Sequence, residues 1–219
     1  MRTMLITGIS RGLGKCLAVA FEACGDLVVG YKRSELGDIR DPGTIDRLKD
    51  LAEKTGVDVL VNNAGVYSEC GICRTTQDEI RQIVEVNLVA PMVLTHALWP
   101  VLRKNRGTVV FINSMAGRMR EAGEIAYRAS KFGLTGFAAS LFYAGRRDEV
   151  RVVDIPFGGM NTDMLRHRPG MANNPKLQPS EAANIVLQIL NGEHPARMNH
   201  PLLQGKVIDS LVQQNIGDE

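Results

Sequence analysis

Cysteine is scarce in this 219-residue sequence. The four residues Cys16, Cys24, Cys70 and Cys73 are too few for a disulfide scaffold of this length and suit a reducing compartment. Cys70-Gly-Ile-Cys73 is the only close pair, and no second pair or nearby histidine completes four metal ligands, so ordinary thiols are expected. The histidines His96, His194 and His200 likewise show no metal-ligand spacing. An excess of one charge is missing too. The 26 basic and 24 acidic residues, net +2, form neither stripe nor tail, and electrostatics gives no reason to expect nucleic acid or membrane as a partner. No apolar run approaches the roughly 20 residues of a membrane span. The N-terminus reaches a glycine-rich turn too soon for a signal peptide, and a cytoplasmic location is expected. Repeats and low-complexity tracts are absent. With 44% hydrophobic and 23% charged residues, disorder and collagen-like structure are excluded.

Aromatics supply only 5% of the chain, whereas glycine, at 22 residues, stands well above its usual share of about 7%. Something requires tight backbone turns. At roughly 150 residues per domain, residues 1–219 read as one domain. Short β-branched runs alternate with longer segments of helical period, the pattern of repeated βα units and a parallel sheet. The runs Thr3 to Thr7, Leu27 to Gly30, Val57 to Val61, Gly107 to Ile112 and Val150 to Ile155 read as buried strands, with a weaker one at Lys206 to Ile208. Helical spacing covers Gly14 to Cys24, Gly43 to Lys54, Gln77 to Lys104, Ile125 to Arg146 and Ser180 to Leu190. Ser180 is the expected cap of the last, and Pro91 and Pro100 are expected to bend or break the third. Met160 to Gln178 has no clean period and reads as a mobile loop over a site, and the chain ends in a polar tail from about 211 to 219.

The first chemical signal is Thr7-Gly8-Ile9-Ser10-Arg11-Gly12-Leu13-Gly14, directly after the first strand and opening the first helix. Gly8 allows the tight turn, Gly12 admits a pyrophosphate to the backbone, and Gly14 lets the helix pack close to the sheet. A dinucleotide site on an α/β, Rossmann-type doubly wound sheet follows. The residue that reads the adenosine ribose belongs just after the second strand, where an acid suits a 2′-hydroxyl and a base a 2′-phosphate. Lys32, Arg33 and Ser34 stand there, with Arg11 able to reach the same region, which selects NADP(H).

The second signal is Tyr127-Arg-Ala-Ser-Lys131, which on a helix puts phenol and ammonium on one face, one turn apart. A free tyrosine has a pKa near 10, so acid–base work near neutrality calls for a neighbouring cation that stabilises the phenolate. Ser114 lies thirteen residues upstream, just past a strand end. Together with Asn62-Asn63-Ala64-Gly65 and Asn87, these motifs resemble the single-domain members of the short-chain dehydrogenase/reductase family, from Thr3 to about Met164.

The resemblance implies that Tyr127 donates a proton to a carbonyl and that Ser114 hydrogen-bonds the same oxygen. By the same resemblance Lys131 binds the ribose and lowers the tyrosine pKa, while Asn87 holds the water of a proton relay. Asn63, Ala64 and Gly65 would pack against the adenosine side, Asp38-Ile39 against adenine, and Thr162 near the carboxamide. It further implies a homodimer or homotetramer, built in part on the apolar faces of the helices from Gln77 and Ile125.

Three departures accompany the resemblance. Only Glu35, Leu36 and Gly37 separate Ser34 from Asp38, where members of the family carry a helix and another strand. The Pro-Gly before the threonine becomes Pro156-Phe-Gly-Gly-Met-Asn-Thr162, and Leu203 to Ser210 only partly matches the last strand. Arg118, Arg120, Arg166, His167 and Arg168 are candidates to attract an anionic substrate. The expected activity is NADPH-dependent reduction of a small carbonyl compound, or the reverse oxidation of an alcohol. A pterin-type reductase and a non-catalytic NADP(H)-binding regulatory subunit are the alternatives.

Overall fold

Five β-branched runs become five parallel strands: β1 Thr3–Thr7, β2 Leu27–Tyr31, β3 Val59–Asn62, β4 Thr108–Ser114 and β5 Arg151–Phe157. They lie in the order β2-β1-β3-β4-β5. The computed structural model describes residues 1–119, 122–165 and 177–192. Its helices are α1 Gly12–Ala23, α2 Arg33–Leu36, α3 Pro42–Thr55, α4 Gln77–Val84, α5 Ala90–Lys104, α6 Ile125–Asp148 and α7 Pro179–Asn191.

Alternation along each strand sends side chains to two separate cores. Leu5, Leu60, Val109, Phe111 and Val152 pack with α3, α5 and α6 on one face. Met4, Ile6, Val61, Val110, Val153 and Ile155 pack with α1 and α7 on the other. A sheet covered on both faces needs strands that are apolar on both sides, hence the continuous hydrophobic runs.

The long helical stretch is interrupted at a π turn, Glu85–Val89, between α4 and α5, directly before Pro91. Pro91, whose ring would clash with the carbonyl four residues back, has Asn87 of that π turn at this position, and the helix continues through Pro100 to Lys104. Gln77–Lys104 has the length and hydropathy to cross a membrane, but Ala90, Leu94, Leu98 and Leu102 are buried against the sheet. Helix α7 is capped by Gln178, whose N–H donates to Glu181 Oε2 at 2.8 Å, with Pro179 as first helical residue; Ser180 lies two positions past the cap. The strand expected at Lys206 to Ile208, the tail from 211, and 166–176 of the expected loop lie outside the described residues.

Between β2 and α3 the chain has only the single turn α2. Tyr31, buried at the end of β2, closes this short crossing by donating its hydroxyl to the Gly37 carbonyl at 2.6 Å. Among the described residues β2 is therefore an edge strand, with Leu27 about half exposed.

Candidate active site

In this strand order the chain winds outward from β1 to β2, then crosses back to β3, so a crevice opens at the C-terminal ends of β1 and β3. A cleft of about 1020 Å³ lies there. Its floor is the glycine turn. Gly8, at φ +74°, gives its N–H to the Tyr31 carbonyl at 3.0 Å, and Gly12 sits at φ +55°. At Gly14 a Cβ would stand 2.1 Å from the Gly8 carbonyl oxygen and 2.5 Å from Asn63 Nδ2, so helix and turn touch backbone to backbone.

Asn63 holds this turn. Its Nδ2 donates to the carbonyls of Thr7 at 2.8 Å and Gly8 at 3.1 Å, while Thr7 Oγ1 accepts from the N–H groups of Asn63 and Ala64 at 2.9 Å each. Arg11, extended at the N-terminus of α1, makes no capping bond, and the first turn of α1 carries no acid. That helix end presents amide donors and a positive dipole to the cleft. Ser10, Arg11, Gly12 and Leu13 line it, as do Ala64 and Gly65, and Thr162 stands across from Gly12.

The adenine end of the crevice is ionic. The Asp38 carboxylate accepts from Arg40 Nε at 3.0 Å and Arg40 Nη2 at 2.8 Å, and pairs with Arg33 Nη2 at 2.7 Å. Its pKa falls to about 2, chiefly through the Arg40 hydrogen bond, with the charges of Arg40 and Arg33 adding to it. Arg33, Asp38, Ile39 and Arg40 all border the cleft. Lys32 and Ser34 do not border it: Lys32 pairs with Glu35 at 2.7 Å, one turn along α2. Arg40 was not among the expected cations, because only its fold-back onto Asp38 carries it to the cleft.

At the other end, β4 and α6 bring Ser114, Tyr127 and Lys131 to the same cleft. Ser114 ends β4, its N–H held by Asn113 Oδ1 at 2.9 Å and its Oγ accepting from the Ala116 N–H at 3.1 Å. Lys131 Nζ donates to the Ile112 carbonyl at 3.1 Å and lies 5.9 Å from the centre of the Tyr127 ring. Burial pulls the Lys131 pKa down to about 8, against the attraction of Asp154. Asn87, in the π turn, is buried behind them. Its Oδ1 accepts from Val66 N–H at 2.8 Å, and its Nδ2 donates to the Val66 carbonyl at 2.8 Å and to Ser130 Oγ at 3.2 Å. It lines a small void of about 10 Å³ together with Thr7, Asn62 and Lys131, close to the volume one water requires.

Three lining residues carry no sequence signal. The Tyr67 hydroxyl donates to Glu124 Oε1 at 2.7 Å, Glu124 pairs with Arg128 at 3.1 Å, and the Tyr67 ring meets Tyr127 edge-on at 5.0 Å. Glu124 holds this place with a left-handed backbone, φ +51°, a conformation costly for a residue other than glycine. The expectation that Arg118 faces a substrate fails: its guanidinium turns inward to Asp154 at 3.3 Å. Arg120, Arg166, His167 and Arg168 lie outside the described residues.

The short chain dehydrogenase family model matches residues 35–172. The 3-oxoacyl-[acyl-carrier-protein] reductase FabG of Salmonella typhimurium is 34% identical over 208 residues, 86% of this chain and 82% of that protein. The acetoacetyl-CoA reductase of Shinella zoogloeoides is 27% identical over 221 residues, 88% of this chain and 92% of that protein. A short chain dehydrogenase from Burkholderia cenocepacia, solved in complex with NADP, superposes with a TM-score of 0.78 at 26% identity, covering 88% of this chain and 86% of the other.

Proposed function

The chain belongs to the short-chain dehydrogenase family of oxidoreductases, and from that premise we propose that it is an NADP(H)-dependent carbonyl reductase. The observation that carries this reading is the convergence of Ser114, Tyr127 and Lys131 on the cleft that the glycine turn floors. A dinucleotide fits the site: the turn leaves its backbone open, and the uncapped N-terminus of α1 faces the cleft without a competing carboxylate. Gly8, Ser10, Arg11, Gly12, Leu13 and Gly14 would hold the pyrophosphate, with Asn63, Ala64 and Gly65 on the adenosine side and Asp38 and Ile39 at adenine. Lys131 would hold the ribose and Thr162 the carboxamide, while Arg11, Arg33 and Arg40 supply cations for a 2′-phosphate. The nicotinamide, when bound, supplies the hydride that the carbonyl carbon receives.

The protein's own residues manage the oxygen and its proton. Ser114 donates a hydrogen bond to the carbonyl oxygen as negative charge develops there, and Tyr127 delivers the proton that completes the alcohol. The Lys131 ammonium stabilises the phenolate left behind. Asn87 and Lys131 both line the void of about 10 Å³, and a water held there would serve as the first carrier of a proton relay. Exposed Val89, Met92 and Val93, with Ile125 and Phe132 on α6, support a homo-oligomer joined through these helices.

Titration with NADPH and NADH, followed by NADPH oxidation against ketones, aldehydes, 3-oxoacyl thioesters and dihydropterins, tests the reading. The thioesters come first because two relatives carry the names of 3-oxoacyl-[acyl-carrier-protein] and acetoacetyl-CoA reductases. Turnover of a carbonyl class is the expected result. Binding without turnover favours a regulatory subunit, and no binding of either cofactor overturns the proposal.

Two further results are expected. Arg33→Ala weakens NADPH binding by about 10- to 100-fold, the size of a lost charged hydrogen bond, and leaves NADH within threefold. Asp38, freed of one partner, would add repulsion toward a 2′-phosphate. Equal losses for both cofactors, read by fluorescence titration, would count against the NADP(H) assignment. The second concerns pH. A lysine whose pKa is depressed to about 8 loses its ammonium as pH rises through that value. Reductive kcat/KM, which reports the free enzyme, therefore falls above pH 8. A profile flat to pH 10 would remove the ammonium from the mechanism.

A further inference from the structure

Beside Tyr127 the cleft wall holds a buried ion pair that neither hydride transfer nor proton delivery requires. Glu124 and Arg128 stand at the start of α6, one on each side of Tyr127 in sequence, and both are buried. Such a pair gains little over apolar groups of the same volume. Glu124 also holds a left-handed backbone, φ +51°, that glycine would adopt without strain. A costly conformation kept beside a reacting group points to what its side chain does.

The Glu124 side chain reaches Tyr67. Its Oε1 accepts from the Tyr67 hydroxyl at 2.7 Å, and its Oε2 pairs with Arg128 Nη2 at 3.1 Å. Arg128 is tied in turn to the segment after β4, where its Nη1 donates to the Met119 carbonyl at 3.0 Å. At its backbone end Tyr67 follows Val66, whose N–H and carbonyl are both held by the Asn87 side chain at 2.8 Å. Tyr67 is thus anchored at both ends, and the ring between them meets the half-buried Tyr127 ring edge-on, with centres 5.0 Å apart, an attractive arrangement. Lys131 Nζ lies 5.9 Å from the same Tyr127 ring. Tyr67, Glu124, Tyr127, Arg128 and Lys131 all border the cleft.

We propose that Tyr67 is a positioning residue of the reaction: anchored by Glu124 and Arg128, its ring holds the Tyr127 ring where the Tyr127 hydroxyl meets the substrate oxygen. The inference rests on the role proposed for Tyr127. Because Tyr67 acts through Tyr127, its contribution vanishes once Tyr127 has no proton to deliver. A residue that shapes the substrate pocket, or one that merely supports the fold, has no such dependence.

Tyr67→Phe keeps the ring and the Glu124–Arg128 pair and removes the anchoring hydroxyl. Misplacing a reacting group by about 1 Å can cost about 100-fold, and a loosened ring should lower kcat and kcat/KM together by about 10-fold, with KM and NADPH affinity unchanged within about twofold. Introduced into Tyr127→Phe, the same change should alter kcat by less than about twofold. A kcat within about twofold of the parent, a loss carried by KM, or a loss above about twofold in the Tyr127→Phe protein overturns the proposal. Glu124→Gln should lower kcat as well but add no further loss to Tyr67→Phe, and losses that multiply also overturn it. If Glu124→Gln does not fold, the two Tyr67 comparisons decide alone. If the protein turns over no substrate, the contact is read by NMR with ring-13C tyrosine, the Tyr127 signal being assigned by its loss in Tyr127→Phe. Displacement of that signal in Tyr67→Phe supports the anchored contact and withdraws the catalytic role of Tyr127 instead, and an unmoved signal overturns the proposal.

Discussion

A Tyr127→Phe protein keeps its fold and its affinity for NADPH but reduces carbonyl substrates about 10³-fold more slowly, the usual worth of a positioned general acid. The substitution removes one oxygen from a half-buried side chain and leaves the ring, so the edge-on contact with Tyr67 at 5.0 Å survives. The proton and the hydrogen bond to the substrate oxygen disappear. Steady-state kcat beside a cofactor titration checks this. A kcat within tenfold of the parent would show that another group, or water, delivers the proton.

The second large effect is structural. Gly14→Ala destabilises the protein by about 3 kcal/mol and abolishes dinucleotide binding, because the new methyl collides with the Gly8 carbonyl at 2.1 Å, which is backbone and cannot swing aside. Either α1 lifts from the sheet or the turn opens, and in both cases the amides no longer converge. Set against a total stability of about 5–15 kcal/mol, the loss is plain in a urea midpoint. Gly136→Ala in α6 is the control: nothing lies within 4 Å of its Cβ, so it should be neutral or gain about 0.5–1 kcal/mol. An unaffected Gly14→Ala would mean that turn and helix do not pack as closely as described.

The contrast between these two sites marks what the sequence could disclose. Strands β1 to β5 and the long helices are legible because their signal is periodic and local, and the glycine turn because each of its glycines answers a nearby backbone requirement. Ser114, Tyr127 and Lys131 are legible as spacing on one strand end and one helix face. Contacts between distant segments are not. Arg118 follows a strand end and so reads as facing a substrate, yet its partner Asp154 is 36 positions away. Asp154 itself passes for one residue of a hydrophobic strand. Lys32 counts as a ribose-side cation until Glu35 takes it up within α2, while Arg40 arrives unannounced by folding back on Asp38. Pro91 marks an irregularity that the backbone makes just before it, as the π turn that buries Asn87, while Pro100 leaves the helix unbroken.

The all-parallel sheet also dictates how this molecule can come to exist. The register partners of β1 and β2 are 24 positions apart, and those of the other three strand pairs 43 to 55. No hairpin can form early and template the rest, so each pairing must first meet the entropy of closing a long loop. Helices can flicker into place beforehand, but the cleft cannot be assembled in parts. Its floor comes from the end of β1, its far wall from β4 and α6, and its rim from the end of β5. The complete cleft therefore exists only once β5 has paired with β4.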